Sequence, residues 1–177
     1  TKRSTTLHLR GAAEAGTPRL AGLPGVHREE PSPVEVLEVE RYDTDDLRLA
    51  AAGITLALHR GGGPAHWRLD LPDGDDDEHL RVPVGADVAE PAPVPAEIDE
   101  LTRGAARGRA VRPVGRVRTT RTVTRLLAAD GTAVAEVTHD HVSVATLGRS
   151  TDVVTWTEAT LDGAPGAPEE LTARLLE

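Results

Sequence analysis

Apolar and polar residues alternate with a period of two along most of this chain, and this constrains the fold more than any other feature. Thr5-Thr6-Leu7-His8-Leu9-Arg10 alternates, and so does Val34 to Glu40, with one slip at Val36-Leu37. Ile54 to His59 and Trp67 to Leu71 read the same way, and His79 to Val82 more briefly. Val114 to Leu127 predicts a long strand or a bent pair. Ala133 to His139, Val142 to Leu147 and Val153 to Leu161 complete the set. Successive side chains of a strand point to opposite faces, so each segment has an apolar and a polar side. Polar faces on so many strands predict a sheet curled around a wet interior, or a sandwich with solvated outer faces.

Turn chemistry separates these segments. Arg60-Gly61-Gly62-Gly63-Pro64 predicts a hairpin loop, and Pro72 to Glu78 another. Ala129-Asp130-Gly131-Thr132 is a tight Asp-Gly turn. Ala96 to Ala106 predicts a helix after Pro95, with Ile98 and Leu101 at helical spacing. Pro168 to Leu176 predicts a second helix with an acidic first turn, and Asp43 to Ala52 a further helical turn. Pro83 to Pro95 holds four prolines and reads as an extended connector. No internal repeat or boundary interrupts residues 1–177, so the expectation is a single domain.

Composition narrows the function classes. Cysteine is absent, which excludes disulfides and thiol chemistry. The net charge is −9, and the only aromatics are Tyr42, Trp67 and Trp156. An acidic chain without a stacking platform is a poor nucleic-acid binder. No apolar run approaches the roughly 20 residues of a membrane span, and no signal-peptide pattern opens the chain. A cytoplasmic protein is expected, with neither nucleic acid nor membrane as partner. Thr1 opens a chain without Met, so the N-terminus reads as processed or trimmed. Nearly all cations are Arg, as in a GC-rich genome, and Lys2 is the only Lys.

Several clusters invite a chemical reading. The acidic run Asp73 to Glu78 lacks EF-hand spacing and reads as a solvated hairpin loop. Arg116 and Arg118 share a strand face, with Arg121 and Arg125 further along the same segment. Two adjacent guanidinium groups repel unless an anion or carboxylates lie between them, and phosphate fits their planar forks. The alternative is an exposed strand with solvated Arg. Seven His residues are spread along the chain, several on polar strand parity, without a metal-ligand spacing. Each reads by default as a surface or structural His. There is no nucleophile elbow, P-loop or dinucleotide fingerprint.

A family pattern runs through most of the chain. The stretch Tyr42-Asp43-Thr44-Asp45-Asp46-Leu47-Arg48-Leu49-Ala50-Ala51-Ala52-Gly53-Ile54-Thr55-Leu56 resembles actinobacterial CYTH-domain proteins. The resemblance continues through Gly61-Gly62, Trp67, Leu71-Pro72, Leu80-Arg81-Val82-Pro83, Arg112-Pro113-Val114 and Arg116 to Val123. It extends over Leu126 to Gly131, Ala135-Glu136-Val137 and Trp156-Thr157-Glu158, and upstream over Leu20 to Val26. CYTH is the triphosphate-tunnel family of class IV adenylate cyclases, thiamine triphosphatases and tripolyphosphatases. The resemblance implies a mainly β fold with peripheral helices, an eight-stranded antiparallel barrel whose lumen binds triphosphate. It leaves room, in a longer parent, for the helical phosphate-binding domain called CHAD.

The chain departs from that family where the chemistry lies. The family's first-strand Glu-x-Glu-x-Lys motif falls on Ser4-Thr5-Thr6-Leu7-His8, with both carboxylates and the Lys gone. Glu38-Val39-Glu40 mimics the motif on the next strand. The expected basic pair after Leu56 reads Ala57 and His59, and the expected Lys between Leu69 and Leu71 is Asp70. Thr160 replaces the second Glu of the last-strand motif. Arg81, Arg116, Arg118, Glu136, Asp140 and Glu158 survive. Each lost charge-assisted contact removes roughly 1.5–3 kcal/mol, so efficient triphosphate hydrolysis is not expected.

Three functions follow. The first is a repurposed small-molecule enzyme, for instance of specialised metabolism, doing acid/base chemistry in the lumen with His8, His59, Asp70, Glu136 and Glu158. A transition metal held by a His cluster with Glu136 ranks below it. The second is a binding module or pseudoenzyme whose Arg81, Arg116, Arg118 and Trp67 hold a phosphorylated or carboxylated ligand. The third is a triphosphatase, the one reading that requires Mg or Mn; the other two assign no metal and no cofactor. In all three the partner is a small or anionic molecule in the barrel lumen.

Overall fold

The computed structural model describes residues 4–5, 23, 25–72, 79–85, 90–148 and 151–163. Nine strands and two helices lie among them: β1 Ser4–Thr5, β2 Arg28–Pro31, β3 Glu35–Asp43, α1 Arg48–Ala51, β4 Thr55–Arg60, β5 His66–Asp70, β6 His79–Pro83, α2 Ala96–Ala106, β7 Arg112–Leu127, β8 Ala133–Thr146 and β9 Asp152–Gly163. Hydrogen-bonded neighbours follow the order β1-β9-β8-β7-β3-β4-β5-β6, with β2 beside β7. The pairs β1–β9, β2–β7, β3–β4, β4–β5 and β5–β6 are antiparallel. The fold class is therefore mainly β with peripheral helices, as the alternation predicts. The eight-strand path has β1 and β6 at its ends. None of the described helices is long and apolar enough to cross a membrane. The expected helix at Pro168 to Leu176 lies outside the described residues.

Two compact units share the long strands. One takes the described parts of Thr1–Glu35, Thr119–Val142 and Thr155–Glu177, the other those of Val36–Arg118 and Ser143–Val154. The first unit is built on β2, β1 and the neighbouring parts of β7, β8 and β9. Its core gathers Val26, Leu126, Ala135, Val137 and Leu161, with Leu23 and Val134 against it. Arg121 and Arg125 lie on one parity of β7 and meet Asp140 and Glu136 of β8 across the ladder. His139-Asp140-His141 lies inside β8, so the two segments expected at Ala133 to His139 and Val142 to Leu147 are one strand. Strand β2 carries Arg-Glu-Glu-Pro, which has no apolar alternation to announce it. It forms because its backbone pairs Leu127 to Thr124.

The second unit has the larger core: Tyr42, Leu49, Leu56, Leu58, Trp67, Leu69, Ala92, Ile98 and Ala106. Helix α2 starts after Pro95, carries Glu97 and Asp99 in its first turn, and ends at Arg107 in the left-handed conformation. Ile98, Thr102 and Ala106, four residues apart, form its buried face. The Thr102 hydroxyl donates to the Ile98 carbonyl at 2.8 Å, so burial leaves it satisfied. Leu101, expected beside Ile98, is instead 52% exposed, because the i, i+4 row takes the core. In the β4–β5 turn, a Cβ on Gly61 would stand 2.0 Å from the Val36 carbonyl oxygen. With φ at +84°, only glycine fits there.

Ile98→Ala should cost about 2–5 kcal/mol in chemical denaturation, whereas Leu101→Ala should stay within about 1 kcal/mol. Equal losses at the two positions would contradict this helix orientation.

Candidate functional site

Strands β3 to β6 form a grid whose two faces differ in chemistry. Cross-strand partners share a face, and register therefore decides which side chains meet. One row on one face is Arg41, Ala57, Arg68 and Arg81. The next is Val39, His59, His66 and Pro83. On the other side of the Arg row come Thr55, Asp70 and His79. The opposite face carries Tyr42, Leu56 and Leu69, and beside them Glu40, Leu58 and Trp67. That opposite face is the core.

Among the described residues, the polar face carries a row of three guanidinium groups, with Asp70 in the row beside it and Asp43 at the end of β3 on the same parity. Arg68 Nε donates to both Asp70 oxygens, at 2.9 and 3.2 Å. Among the described residues, neither Arg41 nor Arg81 has a carboxylate partner. Arg81 instead approaches His66 Nε2 at 2.8 Å. A guanidinium only donates, so Nε2 accepts, and His66 Nδ1–H is left to donate to the Pro64 carbonyl at 3.1 Å. The His59 and His66 rings stack, with centroids 5.1 Å apart and planes 11° from parallel. Burial lowers the pKa of His59 first, then the neighbouring His66 ring, and the charges of Arg68, Arg41 and Arg81 lower it further. His79 Nδ1 is buried and finds no hydrogen-bond partner among the described residues.

The sequence-derived residues separate on this framework. His59, Asp70 and Arg81 come together on the polar face. Trp67, expected at a ligand, is 1% exposed on the core face, where it meets Tyr42 edge-on with centroids 4.6 Å apart. Its place at position 67, between His66 and Arg68, puts it on the other parity. Arg116 and Arg118 reach core-face carboxylates and do not join Arg81: Arg116 donates to Glu40 at 2.7 Å, and Arg118 stands 3.7 Å from Glu38. Of the two ways to relieve their repulsion, carboxylates are present. Glu136 and Glu158 belong to the other unit. There Arg125 lies 3.7 Å from Glu136, and the Trp156 indole N–H donates to Glu158 at 2.6 Å. His8 lies outside the described residues, as does the acidic run Asp73 to Glu78. No three His, Asp or Glu side chains converge as metal ligands among the described residues.

Sequence reasoning missed Arg41, His66, Arg68 and His79 as members of this face. The signal was present as parity with His59 and Asp70, but using it required the register that the Gly61 turn sets. It also missed the role of Glu40. This carboxylate is 3% exposed, accepts from Arg116 and from the Tyr42 hydroxyl at 3.1 Å, and has Arg60 at 3.6 Å. The Tyr42 hydroxyl also lies 3.2 Å from the Ala92 carbonyl.

Burial, with Glu40 beside it, pushes the Tyr42 pKa up to about 12. Because the folded value exceeds the ordinary value of about 10, this contribution to stability is complete below about pH 10 and is lost as pH rises towards about 12. Tyr42 is the sole tyrosine, so phenolate absorbance reports it alone. Folded protein should titrate well above pH 10, and Glu40→Gln should bring the midpoint down. An ordinary midpoint in the folded wild type would refute this environment.

No family model matches the chain. It is 35% identical over 133 residues to uncharacterized proteins from two strains of Mycobacterium tuberculosis, a match covering 75% of this chain and 25% of each relative. The chain thus spans about a quarter of the length of the curated relatives it matches. Among solved structures, it is similar to a candidate adenylate cyclase of Bacillus halodurans, with a TM-score of 0.45, 14% identity, and coverage of 81% of this chain and 72% of that one. A Pyrococcus horikoshii protein gives a TM-score of 0.34 and 14% identity, covering 86% and 74% of the two chains.

Proposed function

We propose that this chain is a binding module whose β3–β6 polar face holds the phosphate or carboxylate group of a small molecule. One observation carries the reading: Arg41, Arg68 and Arg81 share a cross-strand row, and among the described residues the one ion pair made by these three is Arg68–Asp70. Among the described residues, three guanidinium groups against Asp70 and Asp43 leave this face net positive, on a chain of net charge −9. An anion seated between the planar forks would relieve their repulsion and accept several charge-assisted hydrogen bonds. Arg116 and Arg118 are not part of this site, since their carboxylate partners lie on the core face.

The repurposed-enzyme reading draws on a separate observation. Burial and surrounding cations keep His59 in its basic form near neutral pH, which suits a proton acceptor. Turnover of a bound small molecule, lost with its binding retained in His59→Gln, would favour that reading.

Titration calorimetry with inorganic phosphate and tripolyphosphate tests the proposal, alongside assays of phosphate release with and without magnesium or manganese. Binding is expected, and Arg81→Gln or Arg68→Gln should weaken it by about tenfold to a hundredfold. Binding unaffected by both substitutions would place the anion elsewhere. Metal-dependent release at ordinary enzyme rates would instead return the protein to triphosphatase chemistry.

A further inference from the structure

The guanidinium row would attract many anions, and the imidazoles beside it supply a means of choosing among them. Resting on the binding reading above, we propose that His59 is a specificity-determining proton acceptor. A dianionic group, such as a phosphate monoester, binds together with a proton that settles on His59, whereas a single carboxylate draws little or none.

Hydrogen bonding directs the proton to one of the two stacked rings. His66 is committed on both sides, with Nδ1–H towards the Pro64 carbonyl and Nε2 accepting from Arg81. Protonating Nε2 would break that contact and set two donors against each other. No hydrogen bond engages the His59 ring among the described residues. Among the described residues, the charged and titratable groups sharing its face are Arg41 and, at the strand end, Asp43 from β3, His66, Arg68 and Asp70 from β5, and Arg81 and His79 from β6. The three guanidinium groups there outnumber the carboxylates of Asp70 and Asp43 by one positive charge. A monoanion only balances that excess. A dianion exceeds it and brings acceptor oxygens to the face, so a proton on His59 ceases to be opposed by like charge. The burial that also disfavours the charged ring remains, which makes ligand charge the deciding variable. Linkage then requires that ligand and proton bind with mutual support.

Sulfate is the appropriate dianionic probe, because it keeps its charge where a phosphate ester itself titrates near about pH 6. Acetate serves as the monoanion. Calorimetry in two buffers of different ionisation heat gives the protons taken up per ligand. Between about pH 6 and 7, around the ordinary His range, sulfate should bring a large fraction of one proton and acetate much less. Sulfate affinity should rise as pH falls, by at most about tenfold per pH unit. His59→Gln should abolish the uptake, and the imidazole resonance missing in that variant should titrate higher in wild type when sulfate is present. Sulfate binding without proton uptake, equal uptake with acetate, or uptake persisting in His59→Gln would each overturn the inference while leaving the binding reading in place. If neither sulfate nor phosphate binds at any pH, both fall together.

Discussion

The register of the β3–β6 strands is the constraint on which the second unit depends. A slip of one residue between antiparallel strands would exchange the two faces, sending His59 and Arg68 to the core side and Leu58 and Trp67 to the polar side. Gly61 helps hold that register. Its α-carbon approaches the Val36 carbonyl so closely that no side chain can be accommodated. The turn then sets His59 opposite His66 and Leu58 opposite Trp67. Burial of Leu56, Leu58, Trp67 and Leu69 beneath α2 makes the alternative register expensive. The same packing that stabilises the core therefore assembles the polar face.

Polar groups within the core side fix the neighbouring strands. Glu40 gathers Arg116, Arg60 and the Tyr42 hydroxyl, a buried carboxylate tolerable only because its charge is met on several sides. Asp43 plays a related part at the end of β3. Its oxygens accept the backbone N–H groups of Thr44, Leu49 and Ala50, at 2.6, 2.9 and 3.0 Å, and anchor the short helix α1. Thr44 accepts from the Arg48 N–H and donates to Asp46. The Tyr42 to Leu49 segment is thus a device for ending a strand and starting a helix.

Cations in this protein divide by their partners. Arg121 and Arg125 pair with Asp140 and Glu136, and Arg116 and Arg118 pair with Glu40 and Glu38. Those pairs belong to the sheet. Among the described residues, the one carboxylate pair made by Arg41, Arg68 and Arg81 is Arg68–Asp70, and three imidazoles of β4 to β6 stand on the same face. Sequence position alone does not distinguish the two groups, because all seven residues sit in strand-like segments with polar neighbours. The distinction arises from which strand lies alongside and at what offset.

Period-two alternation by itself determined the strands β3 to β6, the long β7 and the location of β9, because the pleat and burial on one face impose that pattern locally. Pro95, the acidic first turn and the apolar spacing determined α2. Alternation also placed His59, Asp70 and Arg81 on polar strand positions. Tertiary structure decided what those positions face. It joined two predicted segments into the single strand β8, and added β2, whose pairing is made by backbone groups whatever its side chains. It turned Leu101 outward, sent Trp67 into the core, and gave Arg116 a buried carboxylate. It also drew Arg41, His66 and Arg68 beside His59. A strand's own sequence specifies its two sides, but cross-strand contacts depend on register and neighbour order, which residues distant along the chain set together.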